Sequence, residues 1–301
     1  MCIRDSVHTI TNGIVTAQIY LPDQDKGFYR ATRFDWSGII GSLIYQGIDY
    51  FGQWYSKHNP RVNDAISGPV EEFNEIGYEC IEDEDEFLKI GIGGLRKSNN
   101  EQYDRFKLYE IINPGEWIVE RTGRKVIFRH LIKDVSGYSY CYTKCVELTV
   151  GIPELLITHT LKNTGRKVIK TKVYNHNFLT IGHLFTDSNV VVTFPENIVK
   201  SISDNKNRIL NIDKNRVGFT RAIFPNESVM VMSINDNPVA GSIIVENEKL
   251  KAGVEITSDA RYSTIHFWAS ERTCCPEPYI NIELFPRQEI DWSFKYVFYV
   301  K

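Results

Sequence analysis

Residues 168–179 read Val168-Ile-Lys-Thr-Lys-Val-Tyr-Asn-His-Asn-Phe-Leu179. Strand side chains alternate between faces, so Ile169, Thr171 and Val173 point one way and Lys170, Lys172, Tyr174 and His176 the other. The lysines mark the second face as the wet one. The stretch is a β-strand ending in a single imidazole among aromatic and amide side chains. Comparable runs fill the chain and tight turns punctuate them. Asn12-Gly13, Gln46-Gly47, Asn113-Pro-Gly115 and Asn163-Thr-Gly165 each divide two strand-like runs. The last run sets Trp292, Phe294, Tyr296 and Phe298 against Asp291, Ser293 and Lys295. No amphipathic helical pattern of more than two or three turns intervenes. Strands without helices imply antiparallel sheets in a sandwich or large barrel. With no linker and no repeat, residues 7–301 are expected to form a single all-β domain. So large a sandwich has more sheet face than its core can bury, which leaves one concave face for a ligand.

The chain has 301 residues, 42% hydrophobic and 24% charged, enough to bury a substantial core. A net charge of -3 gives no electrostatic case for nucleic acid or an anionic membrane as partner. No apolar run approaches the about 20 residues of a membrane helix. Met1-Cys-Ile-Arg-Asp-Ser6 resembles a translated sequencing adapter of the kind found at the ends of metagenomic fragments. Localisation therefore stays open between cytoplasm and periplasm. Cys80, Cys141, Cys145, Cys274 and Cys275 match neither zinc-site nor redox spacings and read as reduced thiols. Gly91-Ile-Gly-Gly-Leu-Arg96 is not a dinucleotide fingerprint, and no GxSxG or HExxH occurs. The expectation is a protein without metal or cofactor, a monomer or weak dimer.

Several segments could carry chemistry. In Thr273-Cys-Cys-Pro-Glu-Pro-Tyr279, Pro276 and Pro278 stiffen the backbone on both sides of Glu277, which suits a general base and argues against a central strand. A plain surface turn fits the same residues. In Ser67-Gly-Pro-Val-Glu-Glu-Phe73, Glu71 and Glu72 face opposite ways, so one of them at most enters a cleft. In Phe28-Tyr-Arg-Ala-Thr-Arg-Phe-Asp-Trp36, Arg30 and Arg33 offer donors to sugar hydroxyls and the aromatics offer stacking faces. A strand with snorkelling arginines is the alternative. His266 alternates with core-type residues and reads either as a structural histidine or as part of the cleft lining.

The pattern Leu155-Leu-Ile-Thr-His-Thr-Leu-Lys-Asn-Thr-Gly165, followed by a strand and then Asn175-His176 with Phe178-Leu179, resembles the galactose mutarotase-like superfamily, whose best-known members are the aldose 1-epimerases. Glu277-Pro278, followed by Leu284-Phe-Pro-Arg-Gln-Glu289 and the last strand, resembles the family's C-terminal signature. The resemblance spans roughly Gly13 to Tyr299 and is specific in these two windows. It implies a β-supersandwich with a sugar site on the concave sheet, and an enzyme that interconverts sugar anomers without metal or cofactor. It also implies His176 as general acid and Glu277 as general base. Tyr174, Asn175, His266, Glu71, Glu72, Arg30 and Arg33 are candidate contacts to a small sugar or oligosaccharide. The family's Asn-x-x-His-Gly-Gly segment, with its second histidine, is absent. That departure keeps a non-catalytic carbohydrate-binding or accessory protein in view as the alternative. Convergence of Arg30, Arg33 and Arg61 would point to phosphosugars.

Overall fold

The computed structural model describes residues 7–301 except 83, 99–100, 199–201, 205–207, 233 and 236. The adapter-like residues 1–6 lie outside the described residues. Regular structure among the described residues consists of antiparallel strands and two single turns of 3-10 helix, Tyr78–Cys80 and Ile181–His183. At Asn12-Gly13 the strands Val7–Thr11 and Val15–Tyr20 pair as a hairpin, with the Asn12 side chain accepting from Ile14 and Val15 N–H. Asn163-Thr-Gly165 behaves differently. It carries the chain out of one sheet, where Glu154–Asn163 lies, into another through Ile169–Phe178.

Those two sheets form the sandwich. One has ten strands, with Ala252–Ser258, Glu289–Val300, Glu154–Asn163 and Tyr138–Leu148 side by side near its middle. The other has six, in the order Ile202–Asp204, Ser228–Met232, Thr264–Ser270, Thr273–Leu284, Ile169–Phe178 and Gly68–Phe73. Between them Val173, Ile169, Ile280 and Ile282 meet Tyr296, Phe294, Ile157 and Leu161 in the main core. The aromatic alternation of the last strand is thus an inward face, as its period implies.

The outer face of the six-stranded sheet differs from the sequence expectation. Lys170 and Lys172 are exposed, but further along the same face Tyr174 and His176 are 1% and 3% exposed. Burial sets in because the chain before residue 112 folds over this end of the sheet and builds a second core. Tyr29, Phe34, Trp36, Ile66, Phe87 and Leu95 there pack with Val70, Phe178 and Cys275 of the sheet. Phe28–Trp36 is irregular chain within this layer and not a strand.

A second correction concerns Glu277. It does lie in a central strand, Thr273–Leu284, paired on one side with Thr264–Ser270. Prolines are tolerated there because the ladder on the other side opens. Pairing with Ile169–Phe178 runs from Ile169↔Leu284 to Tyr174↔Tyr279 and returns only as the bridge Leu179↔Cys274. Pro276 and Pro278 turn their missing N–H toward this gap, so no ladder donor is lost. Asn177 spans it, its Nδ2 donating to the Pro276 carbonyl at 2.8 Å.

Beneath the gap the main core contains charge. Glu71, Lys144, Asp35 and His159 are all 2% exposed or less. Lys144 Nζ contacts Glu71, lies 3.7 Å from Asp35 and donates to the Ser37 carbonyl at 2.8 Å. His159 Nε2 lies 3.0 Å from Glu71, and Asn175 Nδ2 donates to the same oxygen at 2.9 Å. Burial opposes ionisation of Glu71, but Lys144 and His159 outweigh it and hold its pKa down at about 2. Asp35 goes the other way, pushed up to about 6 by burial against the pull of Lys144. Removing the shared cation strands a buried carboxylate, which costs about 3–5 kcal/mol. Lys144→Met is expected to lower unfolding free energy by about that amount in urea titration, and adding Glu71→Gln to recover part of it. Stability equal to wild type in the single variant would show that the cluster does not carry this load.

Candidate functional site

A cavity of about 530 Å³ opens on the outer face of the six-stranded sheet, within the usual range of ligand sites. Three adjacent strands supply its floor. His266 pairs directly with Glu277 across one ladder, and the register continued through the gap sets Glu277 opposite His176. His176 Nε2 and Glu277 Oε1 are 3.3 Å apart, with side chains 4% and 5% exposed. They touch across the gap. The reason is that they are cross-strand neighbours on one sheet face, not groups on facing walls.

The sheet fixes this pair from below. The Tyr296 hydroxyl, on the opposite sheet, lies 2.5 Å from Asn175 Oδ1 and 2.8 Å from Asn177 Oδ1 and shares its one proton between them, so both neighbours of His176 are pinned. The imidazole stacks on Phe178 with ring centroids 3.9 Å apart and meets the edges of Phe34 and Trp268. Its Nδ1 is buried and has no protein hydrogen-bond partner.

Electrostatics follow from this burial. Burial raises Glu277 to about 8, against the opposing pull of Arg33 and Arg105. Burial also pushes His176 well below its usual range, and Arg33 and Arg105 push it further. At neutral pH both shifts favour the uncharged form of each group. His266 is lowered too, by burial and by Arg105 and Lys172.

The candidates from sequence divide by strand face. His176, Glu277, Tyr174, His266 and Arg33 line the cavity. Glu72 lies behind it, accepting from Arg33 Nε at 2.8 Å and from the Tyr174 hydroxyl. Three candidates are displaced. Glu71 and Asn175 have the opposite parity and turn into the main core, where they bond each other. Arg30 lines a separate surface cavity together with Arg61 and Asp25, so Arg30, Arg33 and Arg61 do not converge. No group of three or more His, Cys, Asp or Glu side chains that could hold a metal occurs among the described residues.

Other lining residues went unpredicted. Tyr279 and Trp268 lie two positions beyond Glu277 and His266, so period-two alternation would have found them. Trp54, Phe106, Met230 and Met232 form an apolar wall and Arg105 a polar one. Arg105 and Phe106 come from irregular chain, where no periodicity reveals facing.

Known structures share this architecture. A galactose mutarotase-like protein from Lactobacillus casei superposes with a TM-score of 0.58 at 13% identity, covering 97% of this chain and 100% of that one. A putative aldose 1-epimerase from Escherichia coli gives 0.56 at 12% identity, covering 98% and 99%. The aldose epimerase homologue from C. elegans gives 0.55 at 12%, covering 98% and 99%. No family model and no curated protein matches the sequence. The fold is the galactose mutarotase-like β-sandwich.

A raised carboxyl pKa has a stability signature. Between the usual 4.5 and about 8, the unfolded chain ionises Glu277 while the folded one does not, so Glu277 costs increasing stability across that window and a constant amount above it. Glu277→Gln is expected to match wild type in melting temperature near pH 4 and to exceed it increasingly up to pH of about 8. Parallel melting curves over the whole range would contradict the buried, protonated carboxyl.

Proposed function

We propose that this protein interconverts the anomers of a sugar by acid–base ring opening, with His176 and Glu277 as the reacting pair. The observation that carries the reading is their 3.3 Å contact at the floor of an aromatic-lined cavity. A cyclic hemiacetal has its ring oxygen and its hydroxyl on one carbon, so an acid and a base side by side reach both.

One member of the pair accepts the anomeric O–H proton as the C1–O5 bond breaks, and the other donates its proton to the ring oxygen. The aldehyde then turns about C1–C2. Closure on its other face returns each proton to the group that gave it. Each residue is acid in one half of the cycle and base in the other, and the proton count of the pair never changes. Burial leaves the resting proton on the Glu277 side. The roles implied by family resemblance, His176 donating and Glu277 accepting, need it first to pass to Nε2, which the contact permits. The missing Asn-x-x-His-Gly-Gly segment supplies no second imidazole, but His266, next to Glu277 in the sheet, does.

Anomer exchange measured by NMR over a sugar panel tests this. Glu277→Gln and His176→Gln should each lower kcat by about 10²- to 10⁴-fold. Catalysis should fall as pH rises through about 8, where Glu277 loses its proton and leaves no acid. Full exchange activity in either variant would refute the assigned pair, and a site that binds sugar without exchanging it would be a carbohydrate-binding module.

A further inference from the structure

The polar wall of the cavity carries three cations, and the least compensated of them is Arg105. Glu72 is shared among three cations: Arg33 Nε at 2.8 Å, Arg105 Nε at 3.5 Å and Lys89 Nζ at 3.7 Å. It also accepts the Tyr174 hydroxyl. Arg33 has a second carboxylate in Asp64, and Lys89, lowered by burial to about 8, is supported by Glu75 as well as Glu72. Among the described residues Arg105 has no carboxylate within 4 Å except Glu72. Its remaining polar contacts are Tyr279 and a long 3.4 Å approach to the Tyr174 hydroxyl. Its side chain is 37% exposed, whereas those of Arg33 and Lys89 are 9% and 1%. A weakly compensated guanidinium opening into a cavity is poised for a bidentate anion.

We propose that the sugar taken by this site bears an anionic group, a carboxylate or a phosphate ester, bound by Arg105 with Arg33 beside it. This rests on the reading of the cavity as a sugar site. A neutral sugar would leave Arg105 desolvated against a carboxylate that three cations already share. An anion instead completes its coordination. Tyr279, which interacts electrostatically with both Glu277 and Arg105, then links the reacting pair to the anion site. The bound charge also offsets the field that presses protons off His176, favouring the proton on Nε2 that ring opening from this residue requires.

Calorimetry and NMR anomer exchange on the full chain, with glucose, galactose, glucuronate, galacturonate and glucose 6-phosphate, test the proposal. An anionic sugar should bind at least about tenfold tighter than its neutral parent, the advantage shrinking as salt rises. Arg105→Gln should remove most of that advantage. Uronates or the phosphate ester ahead distinguishes the two anion types. Should Arg105→Gln fail to fold by circular dichroism, Arg105→Lys, keeping charge without the fork, should retain part of the preference. Neutral sugars bound as tightly as anionic ones, or a preference indifferent to both salt and Arg105, would overturn it. Selective anion binding without anomer exchange would keep this inference and defeat the proposed reaction. Exchange confined to neutral sugars would do the reverse.

Discussion

The arrangement depends on one local break in backbone pairing. Pro276 and Pro278 have no N–H to give, so the strand carrying Glu277 cannot ladder with the strand carrying His176 at those positions. A sheet with an open ladder at its centre would leave backbone groups unpaired in a dry interior. The protein meets this demand with amide side chains. Asn177 donates to Pro276 across the gap, and Tyr296 holds Asn175 and Asn177 from the opposite sheet. The gap keeps its register, and the two titratable side chains face each other on the outer surface of the same sheet.

Burial then sets their chemistry. The chain before residue 112 covers the sheet face with Phe34 and neighbouring side chains, so Glu277 and His176 are almost fully buried and burial disfavours the charge of each. A protonated Glu277 beside a neutral His176 follows from desolvation acting on both. Beneath the sheet, Lys144 and Glu71 solve the opposite problem by pairing full charges. One strand, Gly68–Phe73, serves both regions: Glu71 anchors the interior cluster and Glu72 the wall of cations behind the cavity. Gly68 at its start has φ +77°, and a Cβ there would lie 2.7 Å from the Ile40 carbonyl oxygen, so the strand's entry admits only glycine without a backbone shift.

Much of this was legible in sequence because strand parity is a strong signal. It placed Trp292, Phe294, Tyr296 and Phe298 inward, and it put Tyr174 and His176 together on the other face from Val173. Parity also contained the answer for Asn175, a candidate sugar contact, which shares the face of Val173 and turns into the core. What parity could not supply was the covering layer. Whether a lysine-bearing face stays wet depends on chain folded over it from elsewhere, and Phe28–Trp36 has no period that announces such a role. Arg105 was invisible for the same reason. The proline bracket was read wrongly as excluding a central strand, because a proline's ladder edge can face a gap as well as solvent.

The protonated Glu277 carboxyl is the claim on which the rest turns, and infrared spectroscopy reads it directly. At pH 7 the protein should show the carbonyl band of a protonated carboxyl that is lost in Glu277→Gln and fades as pH passes about 8. Absence of such a band at pH 7, with an ionised Glu277, would contradict the account.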